Sequence, residues 1–421
     1  MQNKTRLMFC FYDRKLYLCN QLIKNRMRNS VSEKAPLVKI AVSLMAGIVL
    51  ARYLVIPFVL FPLFVFVVLS AFCLWRYEHL QSAVISLCFV VLGALLIQRA
   101  QQESPHPSRL DRSKTYFLAQ RTKLLDRLSE SGVDGSVYAV VAAMALGDKS
   151  QLTKELKDTY AVSGASHILA LSGLHLGIIY TLLSLLLSRR RWQMVSQIVI
   201  IVSIWLFVFL VGLSASVVRS AVMVSIYALL SLGHRDKLSV NTLAFAAIVM
   251  LLFNPMSLFD VGFQLSFMAV LAILLFYPLF ESVWSQPFLF DHRLFKWLWT
   301  MLAVSCAAQI GVAPLIAYYF GRFSCYFLLA NLIVVPAATL ILYLSLLVLL
   351  IPSLAYLLIY IVDALNQLLS WIAMLPGASI EGLHPTPLQV WMMYVIIGAV
   401  YLLLIRRTSP TRGWSASRRV W

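Results

Sequence analysis

Long apolar runs, many of them close to the length that crosses a lipid bilayer, recur along most of this 421-residue chain. A membrane-spanning α-helix needs about 20 mostly apolar residues, because each residue advances the helix by about 1.5 Å. Hydrophobic residues make up 61% of the chain and charged residues 12%. In soluble domains, hydrophobic residues average about 45–50% and charged residues about 25%. The sequence therefore predicts an all-α, polytopic integral membrane protein. About twelve runs qualify as transmembrane helices, near residues 38–56, 57–75, 82–97, 166–187, 193–211, 216–233, 240–253, 262–281, 297–320, 324–350, 353–374 and 389–405.

The positions of the basic residues predict the side of the membrane on which each loop lies. If every run crosses once, the basic stretches 189–191, 234–237, 292–296 and 406–407 share one side with the basic N-terminus. Cytoplasmic loops of membrane proteins are enriched in Lys and Arg. We therefore predict that both termini are cytoplasmic. The same enrichment accounts for most of the net charge of +18, which in a soluble protein would indicate acidic partners.

Composition divides the chain into five segments. We predict a basic cytoplasmic tail over 1–37, three N-terminal transmembrane helices over 38–97 and an extracytoplasmic linker over 98–136 that contains an amphipathic helix. A second transmembrane domain follows over 137–405, and a basic cytoplasmic tail over 406–421. Residues 137–146 at the start of the second domain are apolar but too few to span. We expect them to form a helix that lies on the membrane or dips into it, and that ends at Gly147.

Polar residues and glycines interrupt the apolar runs in four clusters. The first covers 163–177, where His167, Leu171 and His175 have the i, i+4, i+8 spacing that places side chains on one face of a helix. The others are residues 212–220, residues 260–267, and a looser group of polar residues between 305 and 367. Polar groups at membrane depth must find partners in the protein or line a wet cavity. We therefore predict that the clusters face one shared interior.

These clusters supply the candidate site residues. The predicted lining residues are His167, Ser172, His175, Ser214, Ser216, Arg219, Asp260, Gln264, Ser266 and Asn331. The glycines predicted to break helices or to allow close packing are Gly164, Gly173, Gly177, Gly212 and Gly262. Structural alternatives remain for each group. Small residues let helices approach closely, and intramembrane histidines often serve as hydrogen-bonded packing residues.

Arg219 has alternatives of its own. An arginine in the middle of a bilayer costs about 2.5–3.5 kcal/mol on insertion scales, so it should face protein, water or an anion. It either lines the interior, pairs with Asp260, or extends to the membrane surface from the start of its run. Asp363, Asn366 and Gln367 are interpreted as hydrogen-bonding residues between helices.

Four motifs in the order of the chain resemble those of the ComEC-type competence domain. They are Leu-Gly-Asp-Lys-Ser at 146–150, Ser-Gly-Leu-His at 172–175, the stretch 212–219 and the stretch 260–267. The resemblance extends from about residue 135 to about residue 400. Members of that family form the channel in the inner membrane through which single-stranded DNA enters during natural transformation. The resemblance implies that this chain is a multi-pass protein of the cell membrane with that role.

For such a channel we hypothesise roles of individual residues from the charge of DNA. Arg219 would offset phosphate charge in the path of the strand, and Ser172 and His175 would hydrogen-bond the passing backbone. Two parts of longer family members are missing. About forty residues fill the place of their OB-like domain, and the chain has no HxHxDH motif of their metallo-β-lactamase-like nuclease domain. We therefore expect a short form that relies on another protein for strand degradation.

The predicted partners are single-stranded DNA, membrane lipid, a separate DNA receptor, and a cytoplasmic ATPase or strand-binding protein. A potential that is negative inside opposes the passage of phosphate by about 2.3 kcal/mol per charge per 100 mV. The sequence contains no GxxxxGKS/T nucleotide-binding loop, so the driving force must come from elsewhere. The sequence leaves the oligomeric state open.

Two other functions remain as alternatives. Ala170–Gly173 is similar to part of a serine-hydrolase nucleophile motif, with His175 or a distant histidine as the base. His167 and His175 would suit a metal or small-solute transporter, although two histidines without a carboxylate make a poor metal site. We expect the chain not to be an enzyme and to use no cofactor or metal.

Overall fold

The computed structural model describes residues 36–53, 64, 65, 67, 70, 78–102, 109–187, 192–232, 239–284 and 292–408. The fifteen α-helices that can be followed in these ranges are α1 (Pro36–Tyr53), α2 (Glu78–Gln102), α3 (Arg109–Glu130), α4 (Gly135–Leu146), α5 (Lys154–Val162), α6 (Ser166–Leu169), α7 (Gly173–Leu187), α8 (Gln193–Leu210), α9 (Ala215–Leu232), α10 (Val240–Phe253), α11 (Val261–Glu281), α12 (Arg293–Phe320), α13 (Phe327–Val348), α14 (Ala355–Met374) and α15 (Pro387–Thr408). Short 3-10 helices cover Pro255–Phe259 and Pro352–Leu354. Two three-residue strands, β1 (Arg322–Ser324) and β2 (Ser379–Glu381), form a small sheet.

The helices agree with an all-α membrane protein. Eight helices in the described part of the chain are long and apolar enough to cross a bilayer, namely α1, α2, α8 and α11–α15. Four more apolar helices are shorter, namely α4, α7, α9 and α10. Apart from isolated positions, the predicted span 57–75 lies outside the described residues, as do most of both predicted tails and most of the basic loop residues. The number of spans and the placement of both termini in the cytoplasm therefore stay predictions.

The chain divides into two compact units. The larger unit comprises Lys34–Leu271 and Phe323–Ile380, and the smaller unit includes Ala272–Arg322 and the chain from Glu381 onward. The larger unit contains three of the four polar clusters and part of the fourth. The smaller unit is built from the second half of α11 together with α12 and α15.

Helix α4 lies in the core of the larger unit. Nine of its 12 residues are buried, including the whole run from Ala139 to Leu146. It packs against α3, α6, α13 and α14. Helix α4 is therefore enclosed mainly by protein, and its position on the membrane or dipping into it stays a prediction. A helix that is apolar on all sides is stable only when protein or lipid surrounds it, and here the neighbouring helices do so.

The end of α4 follows the sequence prediction. Gly147 adopts a left-handed conformation with φ 73°, and the N–H of Asp148 donates to the carbonyl of Ala142 at 3.0 Å. This hydrogen bond spans six positions, one more than the 6→1 bond of a Schellman motif. The left-handed turn that it closes favours glycine, because glycine has no Cβ. The next turn leads into α5, where the Thr153 side chain accepts a hydrogen bond from the N–H of Leu156 at 3.2 Å.

Small residues and one amphipathic helix complete the larger unit. Helices α1 and α2 approach so closely that a Cβ on Gly47 would overlap the backbone of Val90, and one on Gly93 would overlap that of Leu44. Helix α3 contains the predicted amphipathic segment and buries Leu125 and Leu128 against α4 and its neighbours. Its polar side remains exposed, as its alternation of apolar and charged residues predicts.

The smaller unit packs around aromatic and small side chains. Phe276 of α11 and Tyr401 of α15 meet edge to face with ring centroids 5.2 Å apart, and Ala307 of α12 is buried beside them. Helix α12 contains Pro314, which removes one intrahelical hydrogen bond. Close to that position, the Tyr394 hydroxyl of α15 donates to the carbonyl of Gly311 at 2.8 Å.

Candidate functional site

A break between α6 and α7 lies in the most polar stretch of the larger unit. Helix α6 ends at Leu169, Ala170 is extended with φ −101° and ψ 128°, and α7 begins at Gly173. The predicted span over 166–187 is therefore not one continuous helix. Because the helix is interrupted, His167, Leu171 and His175 do not share a single helical face, and this part of the prediction is wrong.

The pair Ser172 and His175 explains why a helix starts at this point. The Ser172 N–H donates to Nδ1 of His175 at 3.3 Å, and the Ser172 hydroxyl lies 3.2 Å from the same nitrogen. The carbonyl of Ser172 accepts the first hydrogen bond of α7 from the N–H of Leu176. In a capping box, the third helical residue reaches back to the N–H of the residue that precedes the helix. Here a histidine does so in place of the usual Glu or Gln.

The hydrogen bond to Ser172 also fixes the protonation of His175. A backbone N–H can only donate, so Nδ1 accepts, and the proton of the neutral imidazole lies on Nε2. His175 is completely buried, and its Nε2 has no hydrogen-bond partner among the described residues. A buried donor without an acceptor costs about 1–3 kcal/mol. His175 therefore combines a structural role at Nδ1 with an unused donor at Nε2.

His167 lies on the other side of the break. It is exposed, interacts with the backbone of Gly164, and is close enough to interact electrostatically with His175. Gly164 has φ +88°, and a Cβ there would lie 2.8 Å from the Ser324 hydroxyl. Gly164 therefore serves both predicted purposes, since it ends a helical turn and allows a close approach to β1.

The turn between α8 and α9 carries the second cluster. Gly212 and Leu213 both have positive φ, 86° and 56°, and the N–H of Leu213 donates to the carbonyl of Val208 at 3.0 Å. A branched residue in the left-handed region stores strain of about 1–3 kcal/mol. Ser214 is exposed at the end of this turn, and Ser216 is half-buried in the first turn of α9. Gly212 breaks the chain direction, as predicted.

The second and third clusters meet through Arg219. Its guanidinium Nη1 lies 2.6 Å from Oδ2 of Asp260, and the two side chains are 7% and 46% exposed. The same carboxylate oxygen accepts the N–H of Phe263 at 3.2 Å, so Asp260 also caps α11. A Cβ on Gly262 would overlap the guanidinium. Arg219 is therefore the partner of Asp260, one of the alternatives that the sequence left open.

One further contact connects the first cluster to the second. A Cβ on Gly173 would lie 3.4 Å from the Ser220 hydroxyl of α9, so the start of α7 lies against the turn of α9 that carries Arg219. Contacts join Ser324 to Gly164, His175 to Ser172, and Gly173 to the turn of α9 that carries Ser220 and Arg219, which pairs with Asp260. An electrostatic interaction joins His167 to His175. The structure brings together three stretches that are separated by roughly forty residues or more in sequence.

The remaining predicted residues lie on α7, α11 and α13. Gln264 donates from Nε2 to the carbonyl of Leu258 at 3.1 Å, and Ser266 is half-buried in the same helix. Asn331 is half-buried on α13, and its Oδ1 has no hydrogen-bond partner in the described part of the chain. Among the described residues, no atom outside the nearby backbone of α7 lies within 4 Å of the position that a Cβ would take at Gly177, so this glycine makes no close packing contact with them.

Sequence reasoning missed two polar residues. Ser220 links α9 to α7, although it lies at the end of the second cluster. Tyr160 is completely buried on α5, and its hydroxyl donates to Oδ1 of Asn366 at 2.8 Å. The available signal was a tyrosine within a short polar helix just before the first cluster. Asn366 joins two helical segments, as its interpretation as a hydrogen-bonding residue between helices expected.

These features define the class of the protein. It is an all-α membrane protein in which polar side chains meet at a helix break and at helix ends inside the larger unit. A family model described as "Competence protein" matches residues 144–407, which is well over half of the chain. The chain therefore belongs to the competence protein family, and the resemblance inferred from the four motifs is confirmed.

Individual relatives match about half of the chain. It is 32% identical over 205 residues to ComE operon protein 3 of Bacillus subtilis, a match that covers 48% of this chain and 24% of the relative. It is 30% identical over 200 residues to an uncharacterized protein of Aquifex aeolicus, a match that covers 47% of this chain and 45% of that relative. It is 23% identical over 213 residues to the uncharacterized protein YcaI of Escherichia coli, with 48% and 28% covered. The matches thus span less than half the length of each of these relatives. No solved structure matches the chain.

Proposed function

We propose that this chain forms a channel in the cell membrane that passes single-stranded DNA into the cytoplasm during natural transformation. The observation that carries the proposal is the match to the competence family over residues 144–407. That range includes the α6–α7 break, the Arg219–Asp260 pair and the contacts that join them. In this proposal the chain crosses the membrane several times, has both termini in the cytoplasm, and is not an enzyme.

The polar contacts of the larger unit suit the transport of a charged polymer. Each nucleotide carries a negative charge, and bare hydrocarbon is prohibitive for an ion. A conduction path must bind its cargo strongly enough to admit it but weakly enough at many sites to release it. Scattered hydroxyls, imidazoles and backbone N–H groups meet that requirement. A separate DNA receptor and a cytoplasmic ATPase or strand-binding protein would deliver and pull the strand, because the membrane potential opposes its passage.

Arg219 has a more specific role in this proposal than its sequence position indicated. Its ion pair with Asp260 is neutral as a whole, so a passing phosphate gains from Arg219 only by competing with the carboxylate. Asp260 is about half exposed and is free to turn toward water. The guanidinium, which is nearly buried, stays in place because Gly262 leaves room for it. We infer that the carboxylate holds the guanidinium when no strand is present.

Uptake of DNA tests the proposal. A strain that lacks this chain receives labelled double-stranded DNA, with and without the chain restored, and nuclease-protected single-stranded label in the cytoplasm is measured. Restoration should produce that label, and equal label in both strains would remove the channel function. Arg219→Ala should reduce uptake while the protein stays in the membrane. Gly398→Ala, which changes a position with no neighbour within 4 Å, should leave uptake unchanged.

One contact favours a second candidate function, an intramembrane serine hydrolase. The Ser172 hydroxyl lies 3.2 Å from Nδ1 of His175, which is within reach for proton transfer. The same nitrogen already accepts the N–H of Ser172, and this competition weakens it as a base. A fluorophosphonate probe that labels the wild type but not Ser172→Ala would establish the hydrolase. For the metal transporter, the described residues contain no group of three or more His, Cys, Asp or Glu side chains placed to hold an ion.

A further inference from the structure

We propose that the start of α7 is a binding site for a phosphodiester oxyanion of the DNA strand. The donors are the N–H groups of Gly173 and Leu174, the Ser172 hydroxyl and Nε2 of His175. The inference rests on the proposed function for the identity of the ligand. The inference goes beyond the proposed function because it assigns a specific ligand group to one helix break. It also gives the two ring nitrogens of His175 different roles.

The first observation concerns the cap of α7. A serine that precedes a helix normally accepts a hydrogen bond from an N–H of the first turn. The Ser172 hydroxyl instead lies against Nδ1 of His175. The first backbone hydrogen bond of α7 is the one from Leu176 to Ser172, so the N–H groups of the three residues before Leu176 have no acceptor among the described residues. The helix is 15 residues long, and its dipole adds positive potential at this end.

The second observation is independent of the helix and concerns the imidazole of His175. Its Nδ1 is held at the start of α7 by Ser172, and Nε2 belongs to the same ring, so the free donor also lies at this end of the helix. The side chain is fully buried, and Nε2 lacks a partner. A buried donor that stays unpaired indicates a position where a bound ligand supplies the missing acceptor.

The N–H groups at the start of α7 are accessible to a ligand. Gly173 is exposed and has no side chain to cover them, and Ser172 is half-buried. The exposed His167 lies on the opposite side of the break and interacts electrostatically with His175. Ser220 of α9 lies alongside Gly173, and its hydroxyl donates to the carbonyl of Ser216. The buried imidazole is reached only when the ligand displaces the residues that cover it.

The set of donors selects the chemistry of the ligand. Two backbone N–H groups, one hydroxyl and one ring N–H offer hydrogen bonds without a carboxylate among them, which excludes a cation. Helix N-termini bind phosphate through such N–H groups together with the helix dipole. A phosphodiester has two free oxygens with one shared charge, and each can accept more than one of these donors. A single phosphodiester therefore satisfies the helix end and the histidine at once.

Two substitutions at His175 separate its structural role from its binding role. In His175→Asn the side-chain oxygen still accepts the Ser172 N–H in place of Nδ1, but no group replaces Nε2. In His175→Gln the longer amide keeps a donor near the position of Nε2 and loses the acceptor for Ser172. Gly173→Ala covers the N–H groups with a methyl that only touches Ser220. Gly398→Ala is the matched control.

The experiment measures binding of a fluorescent single-stranded oligothymidylate to the full chain in nanodiscs of phosphatidylcholine. We expect the wild type to bind the charged oligonucleotide and not a methylphosphonate oligonucleotide of the same sequence. His175→Asn and Gly173→Ala should each weaken binding about tenfold, since each removes or blocks donors to a charged group. Gly398→Ala should bind like the wild type. Thermal unfolding of each variant checks that His175→Asn folds.

Four results would contradict the proposed phosphodiester site or its proposed role in uptake. Equal affinity of His175→Asn and the wild type, with both proteins folded, removes His175 from binding. Binding of the methylphosphonate strand as tight as that of the charged strand removes the oxyanion. If nanodiscs that contain phosphatidylglycerol abolish oligonucleotide binding to the wild type and not to His175→Asn, the occupant is a lipid headgroup. Normal DNA uptake by cells that carry folded His175→Asn removes this site but keeps the channel, whereas loss of the channel function appears in the deletion strain.

Discussion

The guanidinium of Arg219 and the carboxylate of Asp260 lie 41 positions apart in the chain, and their atoms meet at 2.6 Å. The two ends of this ion pair differ in their surroundings, because the arginine is 7% exposed and the aspartate 46%. If Arg219 were removed, water could still solvate Asp260. If Asp260 were removed, the buried Arg219 would have neither water nor a counter-charge. The pair stabilises the larger unit mainly by neutralising a buried cation.

This asymmetry predicts unequal effects of the two single substitutions. Asp260→Asn should lower the free energy of unfolding by about 1–3 kcal/mol, because it leaves a buried charge without a counter-charge. Asparagine caps helices as well as aspartate does, so the cap of α11 is retained and the loss reports the charge. Arg219→Gln should cost less. Thermal unfolding in detergent measures both, and a larger loss for Arg219→Gln would contradict the explanation.

Gly262 should tolerate no side chain. Gly262→Ala places a methyl group where the guanidinium of Arg219 lies, and overpacking of this kind costs about 1–3 kcal/mol. The matched control is Gly398→Ala, a helical glycine with no neighbour within 4 Å. That change should stabilise or leave the protein unaffected, because alanine is the better helix former. Equal thermal stability of the two variants would show that Arg219 moves aside without cost.

The buried Tyr160 and the half-buried Asn366 form a hydrogen bond of 2.8 Å between α5 and α14. Tyr160→Phe should destabilise the protein by about 1–3 kcal/mol, because the amide oxygen loses its donor and Nδ2 of Asn366 already has no partner in the described part of the chain. The double variant with Asn366→Leu should recover part of the loss, since removal of both polar partners is nearly neutral. Thermal unfolding of the two single variants and the double variant gives the coupling energy. Strict additivity would argue against a direct bond.

Tyr394 donates to the Gly311 carbonyl three residues before Pro314. Proline weakens the hydrogen bonds of the preceding turn, and this hydroxyl supplies one from outside the helix. Tyr394→Phe should therefore lower the free energy of unfolding by about 0.5–1.5 kcal/mol. Tyr401→Phe is the control, because it keeps the ring contact with Phe276 and lies on the same helix. Hydrogen exchange of α12 near Gly311 should increase only in Tyr394→Phe.

The helical architecture was predictable because apolar length is a strong signal. The runs that became α8, α11, α12, α13, α14 and α15 are long, nearly free of charge and bounded by polar residues or glycine. The end of α4 was predictable for a local reason, since Gly147 supplies the left-handed conformation that a helix terminus favours. The burial of α4 also left a signal in the sequence. Its residues are apolar on every side, which is typical of a helix surrounded by protein.

The interior of the site was less predictable because it depends on side-chain geometry. Ala170, Leu171 and Ser172 continue an apolar run, and only the bond from Ser172 to His175 reveals where the helix restarts. Gly164 against Ser324 depends on which distant strand returns to that turn. For Arg219, pairing with Asp260 was one of three alternatives that the sequence left open. Sequence gave no register between α9 and α11, and a shift of one turn would have separated the pair.

The full enclosure of α4 has a consequence for how the protein is assembled in the membrane. At 12 residues α4 is too short to be inserted as an independent span, and most of its neighbours come from α13 and α14, which are synthesised roughly two hundred residues later. Until those helices arrive, α4 is covered only by its neighbours in the chain, such as α3 and α6, and much of its apolar surface is unshielded. The larger unit therefore closes late in biogenesis, and a nascent chain that stops before α13 exposes an unshielded segment to quality-control proteases.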